Sequence, residues 1–161
     1  MAAAWKAEIL ELAASALARK ERTVAEMRAW LGSRGCPQAE IEAAIARLVE
    51  IGELDDARFA RRFAEDKREL RGWGSERIAK ALEARGVGPD EIAAALATED
   101  AGAQVERAAS LLASRGASLA DDAERARALA FLVRRGYGSE VAYEAVRRAE
   151  REAQGVERRA A

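Results

Sequence analysis

Leu82-Glu83-Ala84-Arg85-Gly86-Val87-Gly88-Pro89-Asp90-Glu91-Ile92 closes one helix and opens the next. Gly86 can adopt the left-handed conformation that ends a helical turn, and Arg85 suits the negative end of the helix dipole. Pro89, followed by Asp90 and Glu91, supplies the first-position proline and first-turn acids with which a helix starts. Two other stretches share this layout: Arg34-Gly35 leads to Pro37 and Glu40, and Arg135-Gly136 to Ser139 and Glu140. A leucine stands three residues before each arginine (Leu31, Leu82, Leu132), and Cys36, Val87 or Tyr137 follows each glycine. The apolar pairs Ile41/Ile45, Ile92/Leu96 and Ala142/Val146 restart at one fixed offset, so the chain repeats itself about every 50 residues.

Working outward, Thr23-Val24-Ala25-Glu26 has the form of a capping box, Asp55 can cap a helix reaching Leu70, and Gly74-Ser75-Glu76 opens another. The pattern predicts helices over 5–20, 23–34, 37–51, 56–71, 76–85, 89–98, 103–115, 120–135 and 140–153. They divide into an all-α series of three tandem three-helix repeats over 1–53, 54–99 and 100–153, with a flexible, charged tail over 154–161. Modules stacked end to end make an elongated, curved array suited to binding along another extended object. A single bundle of the same helices is the alternative.

Composition points the same way. Ala, Glu and Arg abound among 161 residues, there are two prolines, and aromatics make up 5%, which favours helices with thin cores. There is no histidine, which removes Ser-His-Asp and Cys-His catalytic sets, the usual zinc sites and the commonest general base at neutral pH. The one cysteine, Cys36, reads as a small packed residue. Asp55-Asp56 could in principle hold Mg²⁺, but adjacent helical positions diverge by about 100° and capping is the simpler role. No Walker loop, Rossmann fingerprint or nucleophile elbow occurs. The expectation is a non-enzyme without cofactor or metal. No stretch reaches the roughly 20 apolar residues of a membrane span, and a cytoplasmic protein is expected.

The net charge is −1, yet residues 58–85 carry nine basic against five acidic groups. The cations Arg58, Arg61, Arg62, Lys67, Arg68, Arg71, Arg77, Lys80 and Arg85 are interleaved with Phe59, Phe63 and Trp73. Several share a helix side, where they could meet phosphates or an acidic protein surface. From charge alone a solvated face paired with Glu65, Asp66, Glu69 and Glu76 is the favoured reading. An isoelectric point near 5.8 argues against DNA as a sole, tight ligand. Trp73, between Gly72 and Gly74, can pack against the adjoining helix or be presented to a partner.

The stretch Leu48-Val49-Glu50-Ile51-Gly52-Glu53-Leu54-Asp55-Asp56-Ala57-Arg58-Phe59-Ala60 resembles the Leu-x-x-x-Gly-x-Leu-Asp-Asp-x-x-Phe-Ala signature of the RecX family, regulators of the RecA recombinase. Ala18-Arg19-Lys20-Glu21-Arg22-Thr23, Gly72-Trp73-Gly74 with Arg77 and Ile78, and Phe131-Leu132-Val133-Arg134-Arg135-Gly136-Tyr137 are similar to the family in order and spacing. The resemblance covers about residues 10 to 150.

The resemblance implies a non-catalytic regulator that binds the RecA filament on single-stranded DNA. Such a regulator hinders ATP turnover, strand exchange and co-protease action in DNA repair, homologous recombination and the SOS response. Partner contacts are expected from Asp56, Arg58, Arg61, Arg62, Lys67, Arg68, Arg71, Trp73, Arg77 and Lys80, with room for weak direct contact to DNA. A monomer is expected. The competing expectation is a helical module that binds nucleic acid directly.

Overall fold

The computed structural model describes the backbone of residues 2–160 and the side chains of residues 7–156. Among the described residues there are nine helices and no strand, as composition and periodicity predict. They are α1 (Ala2–Arg19), α2 (Val24–Ser33), α3 (Gln38–Glu50), α4 (Asp56–Arg71), α5 (Ser75–Ala84), α6 (Pro89–Leu96), α7 (Ala101–Ser114), α8 (Asp122–Arg134) and α9 (Ser139–Ala160).

The Arg-Gly pairs close helices as expected. The N–H groups of Cys36, Val87 and Tyr137 donate to the carbonyls of Leu31, Leu82 and Leu132 at 3.4, 3.1 and 3.1 Å. The intervening Gly35, Gly86 and Gly136 have φ of 76°, 77° and 90°, a region open to glycine at little cost. Starts are equally local. Thr23 and Glu26 form a reciprocal capping box on α2, and Asp100 and Asp121 cap α7 and α8. The departure is α9, which passes residue 153 and takes in most of the stretch read as a tail. Alanine, glutamate and arginine are strong helix formers, and Gly155 is too weak a breaker to stop the helix.

The helices gather into two compact units: Met1–Arg62 with Ala81–Ala95, and Phe63–Lys80 with Leu96–Ala161. The first has a core of Ile9, Met27, Leu31, Ile41, Ile45, Leu48 and Leu54, where α1, α2 and α3 meet. Cys36 packs at the edge of this core, as expected. In the second, α7 and α8 pack on α9 around Leu112, Leu132, Tyr137 and Val146, with alanines at 108, 109, 142 and 145 allowing close approach. Removal of apolar surface from water, worth about 25 cal/mol per Å², is the main stabilising term in each core.

Candidate partner-binding surface

In the first unit, Asp56 is half-buried and turned inward. Its Oδ1 accepts from the Val24 N–H at 2.9 Å, supplementing the cap of α2. Burial pushes its pKa above the usual range, and Glu91, Asp55 and Glu26 add to the rise against the Val24 N–H. Asp55 caps α4, accepting from the Arg58 N–H at 2.8 Å. The Arg58 guanidinium donates to the Gly52 carbonyl at 2.9 Å and lies 3.8 Å from Asp55. Arg62, 66% exposed, lies 3.4 Å from Glu21, and Arg61 is exposed with no ion-pair partner among the described residues. Arg58, Arg62 and Arg22 line a cleft of about 360 Å³ with Leu17 and Phe59.

A second feature of this unit was not singled out from the sequence. Arg85 donates from Nε and Nη2 to the two carboxylate oxygens of Glu26 at 2.7 and 2.8 Å, and its guanidinium lies 4.4 Å from the Phe59 ring centre. Thr23 Oγ1 donates to the Arg85 carbonyl at 2.7 Å. Burial works against the Glu26 charge, but Arg85 and the Thr23 N–H outweigh it and hold the pKa below the ordinary carboxylate value.

In the second unit, Arg68 is not available to a partner. Its side chain is 10% exposed and donates to Thr98 Oγ1 at 2.8 Å and the Leu96 carbonyl at 3.1 Å, and its Nε lies 3.1 Å from Glu99. Glu99 is held bidentately by Arg107 at 2.8 Å through both Nε and Nη2. Arg107 also donates to the Trp73 carbonyl at 2.8 Å and to Tyr137 Oη at 2.6 Å, while the Tyr137 hydroxyl donates to the Gly72 carbonyl at 3.2 Å. Burial disfavours the Arg107 charge, yet Glu99 more than offsets it and the pKa stands above its ordinary value. Burial likewise raises that of Tyr137. The Glu99–Arg107 pair has no sequence signal beyond opposite charge, because both residues lie in a stretch without a motif.

Trp73 is half-buried, with the Arg77 guanidinium 4.3 Å and the Lys67 ammonium 5.2 Å from its ring centre. Lys67 is also 5.0 Å from the Phe63 ring centre. Arg77, Arg71 and Lys80 are exposed, and Arg71 and Lys80 have no ion-pair partner among the described residues. The structure therefore sorts the expected contact residues. Asp56 and Arg68 serve internal bonds, Lys67 and Trp73 are partly engaged, and Arg61, Arg71 and Lys80 are free. Arg58, Arg62 and Arg77 are exposed and loosely held.

Among the described residues no group of three or more Asp, Glu, Cys or His side chains could hold a metal ion, and no helix is long and apolar enough to cross a membrane.

Residues 10–48 match the family model for the first three-helix domain of RecX, and residues 55–96 match that for its second three-helix domain. The chain is similar to "Regulatory protein RecX" of Thermus thermophilus, 38% identical over 148 residues that cover 92% of this chain and 96% of that one. The protein of the same name from Mycobacterium avium is 37% identical over 134 residues, 81% of this chain and 78% of the relative. The crystal structure of RecX from Lactobacillus salivarius superposes with a TM-score of 0.85 at 18% identity, covering 92% and 98% of the two chains. A second crystal structure of a regulatory protein RecX gives 0.75 at 21% identity, covering 89% and 71%.

Proposed function

The chain belongs to the RecX family of regulatory proteins, and from that premise we propose that it binds the RecA recombinase filament on single-stranded DNA and lowers its activity. It acts in the cytoplasm as a binding protein with no reaction of its own, slowing ATP turnover, strand exchange and co-protease action in DNA repair and the SOS response. The observation that carries this reading is 38% identity running through 92% of this chain and 96% of the Thermus relative. We keep within it the division into three-helix repeats over 1–53, 54–99 and 100–153, supported by the order of the two matched domains.

The geometry adds which cations are free to act. Exposed Arg58, Arg61 and Arg62 in one unit, and Arg71, Arg77 and Lys80 in the other, can reach acidic side chains or phosphates on a filament. The ion pairs that Arg58 and Arg62 make at 3.8 and 3.4 Å are exposed and cost little to exchange for a partner's.

The test is ATP hydrolysis by RecA on single-stranded DNA with increasing amounts of the purified chain. Turnover is expected to fall before the two proteins are equimolar, and unchanged turnover at equimolar amounts refutes the reading. A parallel titration of naked DNA separates it from the direct nucleic-acid reading, which Arg61, Arg71 and Lys80 favour. That reading requires tight binding at low salt, lost steeply as salt is raised.

A further inference from the structure

In the second unit the end of α8 lies against the turn that joins α4 to α5. The Arg135 guanidinium donates to the Arg71 carbonyl at 2.5 Å, the Tyr137 hydroxyl to that of Gly72 at 3.2 Å and Arg107 to that of Trp73 at 2.8 Å. The N–H groups of Gly74 and Glu76 donate in return to the carbonyls of Arg135 and Gly136 at 2.8 and 3.0 Å. A Cβ on Gly136 would stand 2.3 Å from that of Arg77, so the α8 end is seated directly on the first turn of α5.

This seat gathers cations that the sequence keeps apart. Arg71 closes α4, Arg77 stands in the first turn of α5 and Arg134 in the last turn of α8, all three exposed. The Arg77 guanidinium is 3.5 Å from the Arg134 carbonyl and 4.3 Å from the Trp73 ring centre, and the Lys67 ammonium is 5.2 Å from the same centre. None of Lys67, Arg71, Arg77 and Arg134 has an ion-pair partner among the described residues. Glu76 points to Gly138 instead, where a Cβ would stand 3.3 Å from its Oε1.

Helix ends account for part of this arrangement, because the carbonyl ends of α4 and α8 favour Arg71 and Arg134. Arg77 is different. It sits at the positive start of α5, where the dipole disfavours a cation, and the Trp73 ring and a carbonyl at the limit of hydrogen-bond length are what it gains there.

We propose that Lys67, Arg71, Arg77 and Arg134 form one protein-binding surface around Trp73, with α8 supplying the part that lies outside the basic stretch, and that this surface takes the carboxylates of an acidic face on the protein of the filament. The proposal rests on the reading that the chain binds the RecA filament. The bonded turn fixes the spacing of the cations before a partner arrives, which lowers the cost of ordering them. Carboxylates suit this surface better than a nucleic-acid strand. Trp73 is half-buried and already covered by Arg77, so a stacking base would have to displace that cation. A strand with a phosphate at every residue would also meet Asp66, Glu69 and Glu76 on the same helices, all exposed, whereas side-chain carboxylates can be set one by one against the cations.

The test is the amount of chain that halves RecA-dependent ATP turnover on single-stranded DNA, measured for the unaltered chain, Arg134→Glu, Arg71→Glu and Arg147→Glu. Arg147 is an exposed cation on α9, so its reversal changes the net charge equally but outside the cluster. Arg134→Glu and Arg71→Glu are each expected to raise the amount about tenfold, and Arg147→Glu to leave it within about twofold. Circular dichroism melts establish which variants fold, and two separate reversals keep the test open if one does not. Anisotropy of a labelled single-stranded oligonucleotide at low salt, without RecA, is expected to be the same for the unaltered chain and Arg134→Glu. If the unaltered chain leaves turnover unchanged, the filament reading itself fails and this inference with it. If the unaltered chain lowers turnover but the two reversals act at the same amounts, or Arg147→Glu loses as much as they do, the reading stands and the surface is overturned. Oligonucleotide binding that falls together with the effect on turnover marks a phosphate surface and overturns the carboxylate assignment.

Discussion

Arg85 grips Glu26 with two hydrogen bonds, at 2.7 and 2.8 Å, across 59 residues of sequence. Both side chains are about three-quarters buried, at 25% and 27% exposure, and the pair joins the end of α5 to the start of α2. Hydrogen bonds between ions in such a setting are worth more than exposed ones, because little water competes for the donors.

Glu26→Gln should therefore destabilise the chain by about 1–2 kcal/mol at neutral pH. The folded pKa of Glu26 lies below its unfolded value, so its contribution is full above the unfolded pKa and is lost as pH falls through the folded one. Urea denaturation as a function of pH should show the difference between Glu26→Gln and the unaltered chain shrinking in acid.

Asp56 has the opposite sign. Its raised pKa means that the folded state resists its charge, a cost present above the folded pKa and removed as pH falls below the unfolded one. Asp56→Asn keeps an acceptor for the Val24 N–H and should stabilise the chain at neutral pH, with the gain disappearing in acid. Asp56→Ala, which loses that acceptor, should cost about 1 kcal/mol in the same denaturation series.

Glycines at helix ends should separate by their surroundings. A Cβ on Gly74 would stand 2.3 Å from the backbone of Gly136 and Tyr137, whereas Gly35 has nothing within 4 Å. Gly35→Ala should cost about 1 kcal/mol, the price of a left-handed alanine, and Gly74→Ala more than about 2 kcal/mol through the displaced α8 end. Thermal melts of the two variants measure the gap.

The basic stretch should divide in the same experiment. Arg61→Ala, Arg71→Ala and Lys80→Ala should leave stability within about 0.5 kcal/mol and weaken the proposed effect on RecA turnover. Arg68→Ala should cost about 1–2 kcal/mol, since it removes the bonds to Thr98 and the Leu96 carbonyl and leaves Arg107 alone to hold the little-exposed Glu99. Stability and RecA-dependent ATP turnover measured on the same preparations would tell a surface residue from an internal one.

Helices and their ends were legible in the sequence because their signals are local. The Gly86 turn, the Thr23–Glu26 box and the Asp55 cap each close over a few residues, with partners set by helical geometry alone. The end of α9 was not legible, because no proline or cap marks it and a run of good helix formers carries no stop.

The candidate surface was half legible. Sequence by itself determined that residues 58–85 are rich in cations and that an Asp-Asp pair precedes them. Only tertiary structure decided which charges stay outside: Arg68 and Arg85 sit in the same basic stretch as Arg61, yet they turn to Glu99 and Glu26, far along the chain. A local pattern fixes a side chain's place on its helix. Whether that side chain meets water or an opposite charge depends on which distant segment packs there, and burial makes such a pairing obligatory once the core has closed.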